Sequence, residues 1–268
     1  AYRMGRTPNP CILCNPQVKF KILREEADRL GIPLIATGHY AGVIHREGRH
    51  GIRRSKSLAR DQSYMLYRLT QHQLEGLILP LESLAKEEIR KDAGTLGIPG
   101  ADAPDSQEIC FLSGSYADFI EARHGPSPSG SFIGPDGRVV GRHRGIIHYT
   151  VGQRKRLGIA LGRPVFIREI DPVTGNIYLA DAGEDRTRGI SLTDCVYLPF
   201  DAPAAPFHAT VKIRSMAAPL PAVITPYPDG RADLTFDDPV RAPAPGQSAV
   251  FYHEEEVIGG GLIDRWIG

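Results

Sequence analysis

Three cysteines are the side chains in this sequence best suited to chemistry. Cys11 and Cys14 lie in Pro8-Asn9-Pro10-Cys11-Ile12-Leu13-Cys14-Asn15, and Cys110 lies in Asp105-Ser106-Gln107-Glu108-Ile109-Cys110-Phe111. A thiol acts as nucleophile or metal ligand only as thiolate, so it works where its surroundings favour negative charge. A single Cys-x-x-Cys fits zinc knuckles, redox pairs and coincidence alike. Zinc sites ordinarily add further ligands at similar spacing, and no second Cys-x-x-Cys or His-x-x-x-His is present. The ordinary alternative is that a cysteine is a small buried hydrophobe. That suits Cys195, in the strand-like Thr193–Leu198. It suits Cys11 and Cys14 less, because prolines and Asn9 fix a loop around them.

Whatever these thiols do, a folded scaffold has to position them. The 268 residues suit about two domains. A hydrophobic content of 41% and a charged content of 24% are those of a globular protein, not of a disordered tail or a fibre. No apolar run reaches the ~20 residues of a membrane span. The net charge of +1 excludes a dominant polycation and leaves room for a local basic face. Four cysteines do not make a disulfide scaffold, and with no signal peptide in view a reducing cytoplasm is the expected setting.

Residues 1–112 read as mixed α/β. Lys19 to Leu30 carries apolar residues at helical spacing before Gly31, and Pro33–Thr37 is a short buried strand leading into Gly38-His39. Ser63 to Leu77 predicts a helix with Leu66, Leu69 and Leu74 inward. Ser83 is an N-cap candidate for Lys86–Leu96, with Gly97 as the stop. Strands alternating with helices imply an open parallel sheet. After Phe111 the pattern turns β-rich: Ile146–Val151, Pro164–Ile170 and Asn176–Ala180 read as strands. From about Gly189, five alternating segments imply a small barrel: Ala209–Arg214, Ala222–Pro226, Ala232–Phe236, Ser248–Tyr252 and Val257–Ile263. The 29 glycines and 22 prolines fit such a turn-rich chain.

Seven motifs then stand in one order. Gly5-Arg6-Thr7-Pro8-Asn9-Pro10-Cys11-x-x-Cys14-Asn15 is followed by Lys19-Phe20, Ala36-Thr37-Gly38-His39-Tyr40 and Asp61-Gln62-Ser63-Tyr64. The Asp105–Phe111 stretch, Tyr149-Thr150-Val151-Gly152-Gln153-Arg154 and Pro245-Gly246-Gln247-Ser248-Ala249-Val250-Phe251-Tyr252 complete the series. Together they resemble the tRNA-specific 2-thiouridylase family, the tRNA-uridine 2-sulfurtransferases, over essentially the whole chain. The resemblance implies an α/β nucleotide-binding domain (adenine nucleotide alpha-hydrolase-like, Rossmann-like) over 1–112. A small β-rich central tRNA-binding domain over 113–188 and a C-terminal β-barrel over 189–268 would follow.

The resemblance also implies a reaction. ATP, with Mg2+, adenylates the C2 oxygen of the wobble uridine of tRNA, and sulfur carried as a cysteine persulfide replaces it. A uracil carbonyl oxygen leaves poorly until it becomes a phosphate ester, and the sulfur must arrive as a strong nucleophile. By the resemblance, Cys110 carries the persulfide and Cys14 is the nucleophile that releases sulfur from it, leaving a Cys14–Cys110 disulfide for thiol exchange to reset. Asn9, Pro10 and Cys11 would border the target base, Gly38 would contact ATP, and His39 would lie by the tRNA. Arg60, Asp61, Gln62, Arg154, Arg214, Ser215 and Gln247 would meet the tRNA at its anticodon stem-loop. The basic clusters Arg142-His143-Arg144 and Arg154-Lys155-Arg156 could hold its phosphates, and the wobble base would be flipped out to react. A sulfur-donor protein or hydrosulfide is the implied partner, and the complete protein is expected as a monomer.

Two departures from the family pattern matter. The phosphate-binding Ser-Gly-Gly-x-Asp-Ser loop is not found in these residues, which start at Ala1, so either a longer protein or a chain unable to adenylate alone is expected. Cys11 also stands where many members carry an acid–base Asp. Three thiols, Cys11, Cys14 and Cys110, could instead ligate a 4Fe-4S cluster whose open iron binds hydrosulfide. The rival readings are a non-catalytic tRNA-binding remnant and a zinc-stapled RNA-binding protein.

Overall fold

The computed structural model describes residues 1–99, 110, 112 and 114–267. The chain opens with a 3-10 turn, Tyr2–Met4, and then launches a helix, α1 (Pro10–Cys14). Asn9 caps it by accepting the backbone N–H of Cys11 at 3.1 Å, and Pro10 occupies the first position, where no donor is needed. Pro16 cannot donate to the regular ladder, and the chain answers with a wider π-turn, Asn15–Lys19, before α2 (Phe20–Arg29). The loop expected around Cys11 and Cys14 is therefore helical. α2 buries Phe20, Arg24 and Ala27. The Arg24 guanidinium donates to Asp28 and to the carbonyls of Ile32 and Pro33, which satisfies a buried cation and ties the helix to the following strand.

Strand β1 (Ile35–Ala36) is followed by a hairpin, β2 (Ala41–Arg46) and β3 (Arg49–Arg54). After it come α3 (Gln71–Leu74), β4 (Leu77–Ile78), α4 (Lys86–Thr95) and α5 (Tyr116–His124). The parallel sheet comprises β1 and β4 among the described residues. The helix expected over Ser63–Leu77 is broken into a 3-10 turn, Ser63–Met65, and the short α3, capped by Thr70. Its aromatic residues decide this. Tyr64 donates to the Ser248 carbonyl at 2.8 Å and the Tyr67 hydroxyl lies 2.9 Å from the Ser248 hydroxyl, so both reach the barrel and override local propensity. Leu66, Leu69 and Leu74 are buried as expected. The cap of α4 falls on Ala85, whose N–H is taken by Glu88, and not on Ser83.

The central region is a four-stranded sheet of β5 (Gly130–Ile133), β6 (Val139–His143), β7 (Val165–Ile170) and β8 (Ile177–Asp181), in the order β6-β5-β8-β7. The strand expected at Ile146–Val151 is instead a 3-10 turn, Ile146–His148, entered through Gly145 at φ +122°. Ile146, Ile147, Tyr149 and Val151 still fill the local core, because burial needs apolar surface and not one backbone shape.

Six strands close the C-terminal barrel: β9 (Arg186–Tyr197), β10 (Phe207–Lys212), β11 (Leu220–Pro226), β12 (Ala232–Arg241), β13 (Ser248–His253) and β14 (Glu256–Ile267). The ring runs β13-β10-β11-β12-β9-β14 and is sealed by β13 pairing with β14, which removes free edges. Its interior holds Ile190, Leu192, Val211, Ile224, Leu234, Phe236, Phe251 and Ile263. β14 also pairs with β3 at Glu256–Arg53 and Val257–Ile52, so the hairpin of the first region extends the barrel sheet. Among the described residues no helix is long and apolar enough to cross a membrane.

Candidate functional site

The segment before the Cys11 helix is held by all three regions. The Thr7 N–H donates to Pro245 at 2.8 Å, and the Gln247 side-chain amide donates to the Thr7 carbonyl at 2.7 Å. The Thr7 hydroxyl meets that of Thr150 at 3.3 Å, while Arg6 pairs with Asp264 at 2.9 Å and donates to the Ile263 carbonyl. Tyr2 stacks on Tyr116 with centroids 4.4 Å apart, and its hydroxyl donates to Pro8. Gly5 belongs to the same joint: a Cβ there would lie 2.8 Å from the Ile170 carbonyl oxygen.

The helix so anchored carries two half-buried thiols, Cys11 and Cys14, and the exposed Cys110 comes from 96 residues beyond Cys14 to the same place. Burial pushes the Cys11 thiol above its ordinary pKa. The Lys19 ammonium pulls it down, and the neighbouring thiols of Cys110 and Cys14 push it up. The three thiols therefore share one electrostatic neighbourhood with one cation. All three are free, as is Cys195. Cys195 stands apart in the barrel wall, where burial pushes its thiol up to about 12, so it is an inert packing group. Among the described residues no three His, Cys, Asp or Glu side chains gather as a metal would require. The described residues give no support to a 4Fe-4S or zinc ligand set, and neither is carried further.

His39 flanks this neighbourhood. Its ring lies 5.5 Å from that of Phe20, and Nδ1 is 2.9 Å from the Thr37 hydroxyl. Burial, with the Lys19 charge added, lowers its pKa and keeps the imidazole neutral. Gly38 is exposed beyond the carboxyl end of β1, the edge at which α/β sheets receive ligands. A Cβ there would meet only Leu81, at 3.6 Å, so the backbone is open to a close approach.

The remaining candidates divide into struts and exposed groups. The Asp61 carboxylate has no exposed surface and is spent on Arg54, on the Ser55 N–H and on the N–H and hydroxyl of Ser63. Gln62 clamps Tyr40 twice, donating its own N–H to the Tyr40 carbonyl and accepting the Tyr40 N–H on its side chain. Both therefore shape the turn beside His39, whereas Arg60 is exposed. Asn9 is occupied as the helix cap, Pro10 and Ser215 are half-buried, and Gln247 is the strap on Thr7. Arg214 donates to the carbonyls of Val151 and Ala242 at 3.2 and 2.9 Å, pinning the central region to the barrel, while Arg154 is exposed. Arg142 and Arg144 are exposed, but His143 between them is buried and bonded to the Gly175 carbonyl. The part played by Lys19 is not legible from spacing alone. Its position about two helical turns after Cys11 is the only trace of it.

Comparison with known proteins adds to this geometry. Residues 1–114 match the family described as tRNA methyl transferase HUP domain, residues 117–181 the tRNA methyl transferase PRC-barrel domain, and residues 187–263 the aminomethyltransferase beta-barrel domain. The chain is 41% identical over 268 residues to the tRNA-specific 2-thiouridylase MnmA of Carboxydothermus hydrogenoformans, covering 98% of this chain and 73% of that protein. It is 43% identical over 266 residues to the protein of the same name from Acetivibrio thermocellus (98% and 74% covered). With the one from Clostridium perfringens the identity is 41% over 265 residues (98% and 74%).

Proposed function

This chain belongs to the tRNA-specific 2-thiouridylase family, and from that premise we propose that it takes part in 2-thiolation of the wobble uridine of tRNA in the cytoplasm. The observation that carries the proposal is the electrostatic coupling of Cys11 to Cys14, to Cys110 and to the Lys19 ammonium, on a helix strapped to the other two regions. ATP, bound as its Mg2+ complex against the exposed Gly38 backbone, would activate the uracil C2 oxygen as an adenylate with release of pyrophosphate. Cys110, exposed enough to meet a sulfur-donor protein, carries the persulfide: its thiolate takes the outer sulfur of the donor's own persulfide, and the donor's cysteine leaves as thiolate. The Cys14 thiolate attacks the Cys110 sulfur. The S–S bond of the persulfide breaks, its outer sulfur leaves as hydrosulfide, and a Cys14–Cys110 disulfide remains. Hydrosulfide adds at C2, AMP departs with the former carbonyl oxygen, and a dithiol reduces the disulfide.

In this scheme Cys11 is the third thiol beside the base, not a carboxylate. The neutral His39 packs against Phe20 and leaves Lys19 as the cation facing the thiols. That cation pulls the Cys11 thiol toward thiolate.

Treatment with a polysulfide, rapid alkylation and peptide mass spectrometry test the sulfur-transfer half without ATP. A persulfide on Cys110 and then a Cys14–Cys110 disulfide are expected, with neither in Cys110→Ser. A persulfide confined to Cys11, or full transfer in Cys110→Ser, would overturn these roles of carrier and nucleophile. Thiolation of an unmodified tRNA, read by retardation in a mercury-containing gel, tests the complete reaction.

A further inference from the structure

Cys11 is the thiol of the three that the sulfur-transfer scheme leaves without a step. It stands where many members of the family carry Asp, and a thiol does not replace a carboxylate in acid–base work. It does attack disulfides. Its placement suits that use. Cys11 and Cys14 are three residues apart on α1, so both side chains lie on one helix face with Cβ atoms about 5–6 Å apart. Ile12 between them is buried and seats the helix on the core.

Both ends of the helix are held. At its start the Asn9 side chain accepts the Cys11 N–H at 3.1 Å and donates to the Met65 sulfur at 3.4 Å. At its end the Asn15 side-chain amide donates to the Met65 carbonyl at 2.9 Å. A disulfide wants Cβ atoms roughly 3.5–4.5 Å apart, so closing Cys11 on Cys14 asks for a shift of roughly 1–2 Å. Cys11 lies in the first turn, where its N–H is taken by a side chain, so it can move without losing a backbone acceptor. Both helix thiols are half-exposed, within reach of an external dithiol, and Cys110 is exposed. The Lys19 charge acts in the same sense by drawing Cys11 toward its thiolate.

We propose that Cys11 resolves the Cys14–Cys110 disulfide: its thiolate attacks the Cys14 sulfur, the Cys14–Cys110 bond breaks, a Cys11–Cys14 bond forms, and Cys110 leaves as thiolate. A dithiol then reduces the Cys11–Cys14 disulfide and is itself oxidised to a disulfide. The inference rests on the sulfur-transfer scheme, which makes the disulfide that Cys11 attacks. Its consequence is that Cys110 is freed to take the next sulfur before any reductant arrives. The reductant then meets a disulfide between neighbours on one helix.

Two measurements on the purified chain test this. The first leaves out Cys110 and all sulfur transfer. One equivalent of dithiobis(nitrobenzoate) added to Cys110→Ser forms a mixed disulfide on the helix and releases one thionitrobenzoate, and attack by the second helix thiol releases the other. Two coloured equivalents per chain and a Cys11–Cys14 disulfide in the peptide map are expected. Cys11→Ser/Cys110→Ser should release one and keep its mixed disulfide. Cys195, pushed up to about 12, adds nothing to the count. The second measurement follows the chain with all its cysteines after one equivalent of polysulfide, quenched in acid without reductant. A Cys14–Cys110 disulfide is expected first, passing into Cys11–Cys14 with Cys110 free, at a rate independent of protein concentration. Cys11→Ser should stop at Cys14–Cys110. A single equivalent from Cys110→Ser, or a Cys14–Cys110 disulfide that persists beside an alkylatable Cys11, would overturn the proposal. Two equivalents from Cys110→Ser, with no Cys14–Cys110 disulfide at any time in the unsubstituted chain, would instead sink the sulfur-transfer scheme and leave Cys11 and Cys14 standing as a redox pair.

Discussion

Gln247 holds Thr7 by a 2.7 Å hydrogen bond from its side-chain amide, across 240 residues of sequence. The bond joins the barrel to the segment that launches the helix of Cys11 and Cys14. Barrel and thiols are therefore one mechanical unit, and the position of a reactive sulfur depends on a glutamine that touches no sulfur.

Gln247→Ala removes one neutral hydrogen bond, costing about 1 kcal/mol. For a chain of this size that is a fall in Tm of roughly 2–4 °C. The local effect should be larger than the global one. Hydrogen exchange at Thr7, whose N–H bonds to Pro245, is expected to speed up while the barrel strands stay protected. Uniform exchange across both would contradict the strap.

Lys19→Gln takes away the cation that favours the Cys11 thiolate. The Cys11 pKa is already raised by burial and should rise further. Alkylation of Cys11 by iodoacetamide at about pH 8 is expected to slow several-fold, with its pH profile moved to higher pH. Cys195, held up to about 12, should remain unreactive in both proteins. A profile that does not move would remove Lys19 from the site.

Asp61→Ala leaves the 13% exposed Arg54 guanidinium with the more distant Glu255 carboxylate at 3.7 Å and takes the acceptor from Ser55 and Ser63, a loss of about 3–5 kcal/mol. Urea unfolding should report it directly. Asp61→Asn, which keeps the shape and loses the charge, should also destabilise, and tRNA affinity should fall only as far as the fold does. Full stability with weak tRNA binding would mean that Asp61 meets the tRNA itself.

The pH dependence has a defined sign. His39 and His143 are both held below the ordinary imidazole pKa, chiefly by burial. The unfolded chain therefore takes up protons first as pH falls through about 6.5. Stability should decline from there until the pH reaches the depressed folded values, and level off below them. Urea midpoints measured from about pH 7.5 to pH 5.5 should trace that decline, and His39→Gln should flatten it. An equally steep decline in the variant would exclude His39 as a source.

Much of the fold is legible in the chain itself. Alternation marks the barrel strands, since a strand half-buried on a core repeats every two residues wherever it lies. The strand before Gly38 and the helix before Gly31 follow from equally local signals. Ser63–Leu77 does not, because Tyr64 and Tyr67 take their partners from Ser248, and no window of a dozen residues contains both ends of those bonds. Ile146–Val151 fails for a related reason: its apolar residues are buried as expected, but on a turn.

The candidate site divides in the same way. Residue type and order alone single out Cys11, Cys14 and Cys110, because thiol chemistry is a property of the side chain. They also mark the ordered motifs that tie the chain to its family. The tertiary structure decides what surrounds those groups. It brings Cys110 within electrostatic reach of Cys11, sets the Lys19 charge within reach of both the Cys11 thiol and the His39 imidazole, and turns Gln62, Asp61 and Gln247 into struts. It also gathers Arg154, Lys155, Arg214 and Arg241 around one cavity. Periodicity reports which face of an element is buried. Which distant group lies against that face is settled only when the sheet closes and the regions dock, since those contacts join residues far apart in the chain.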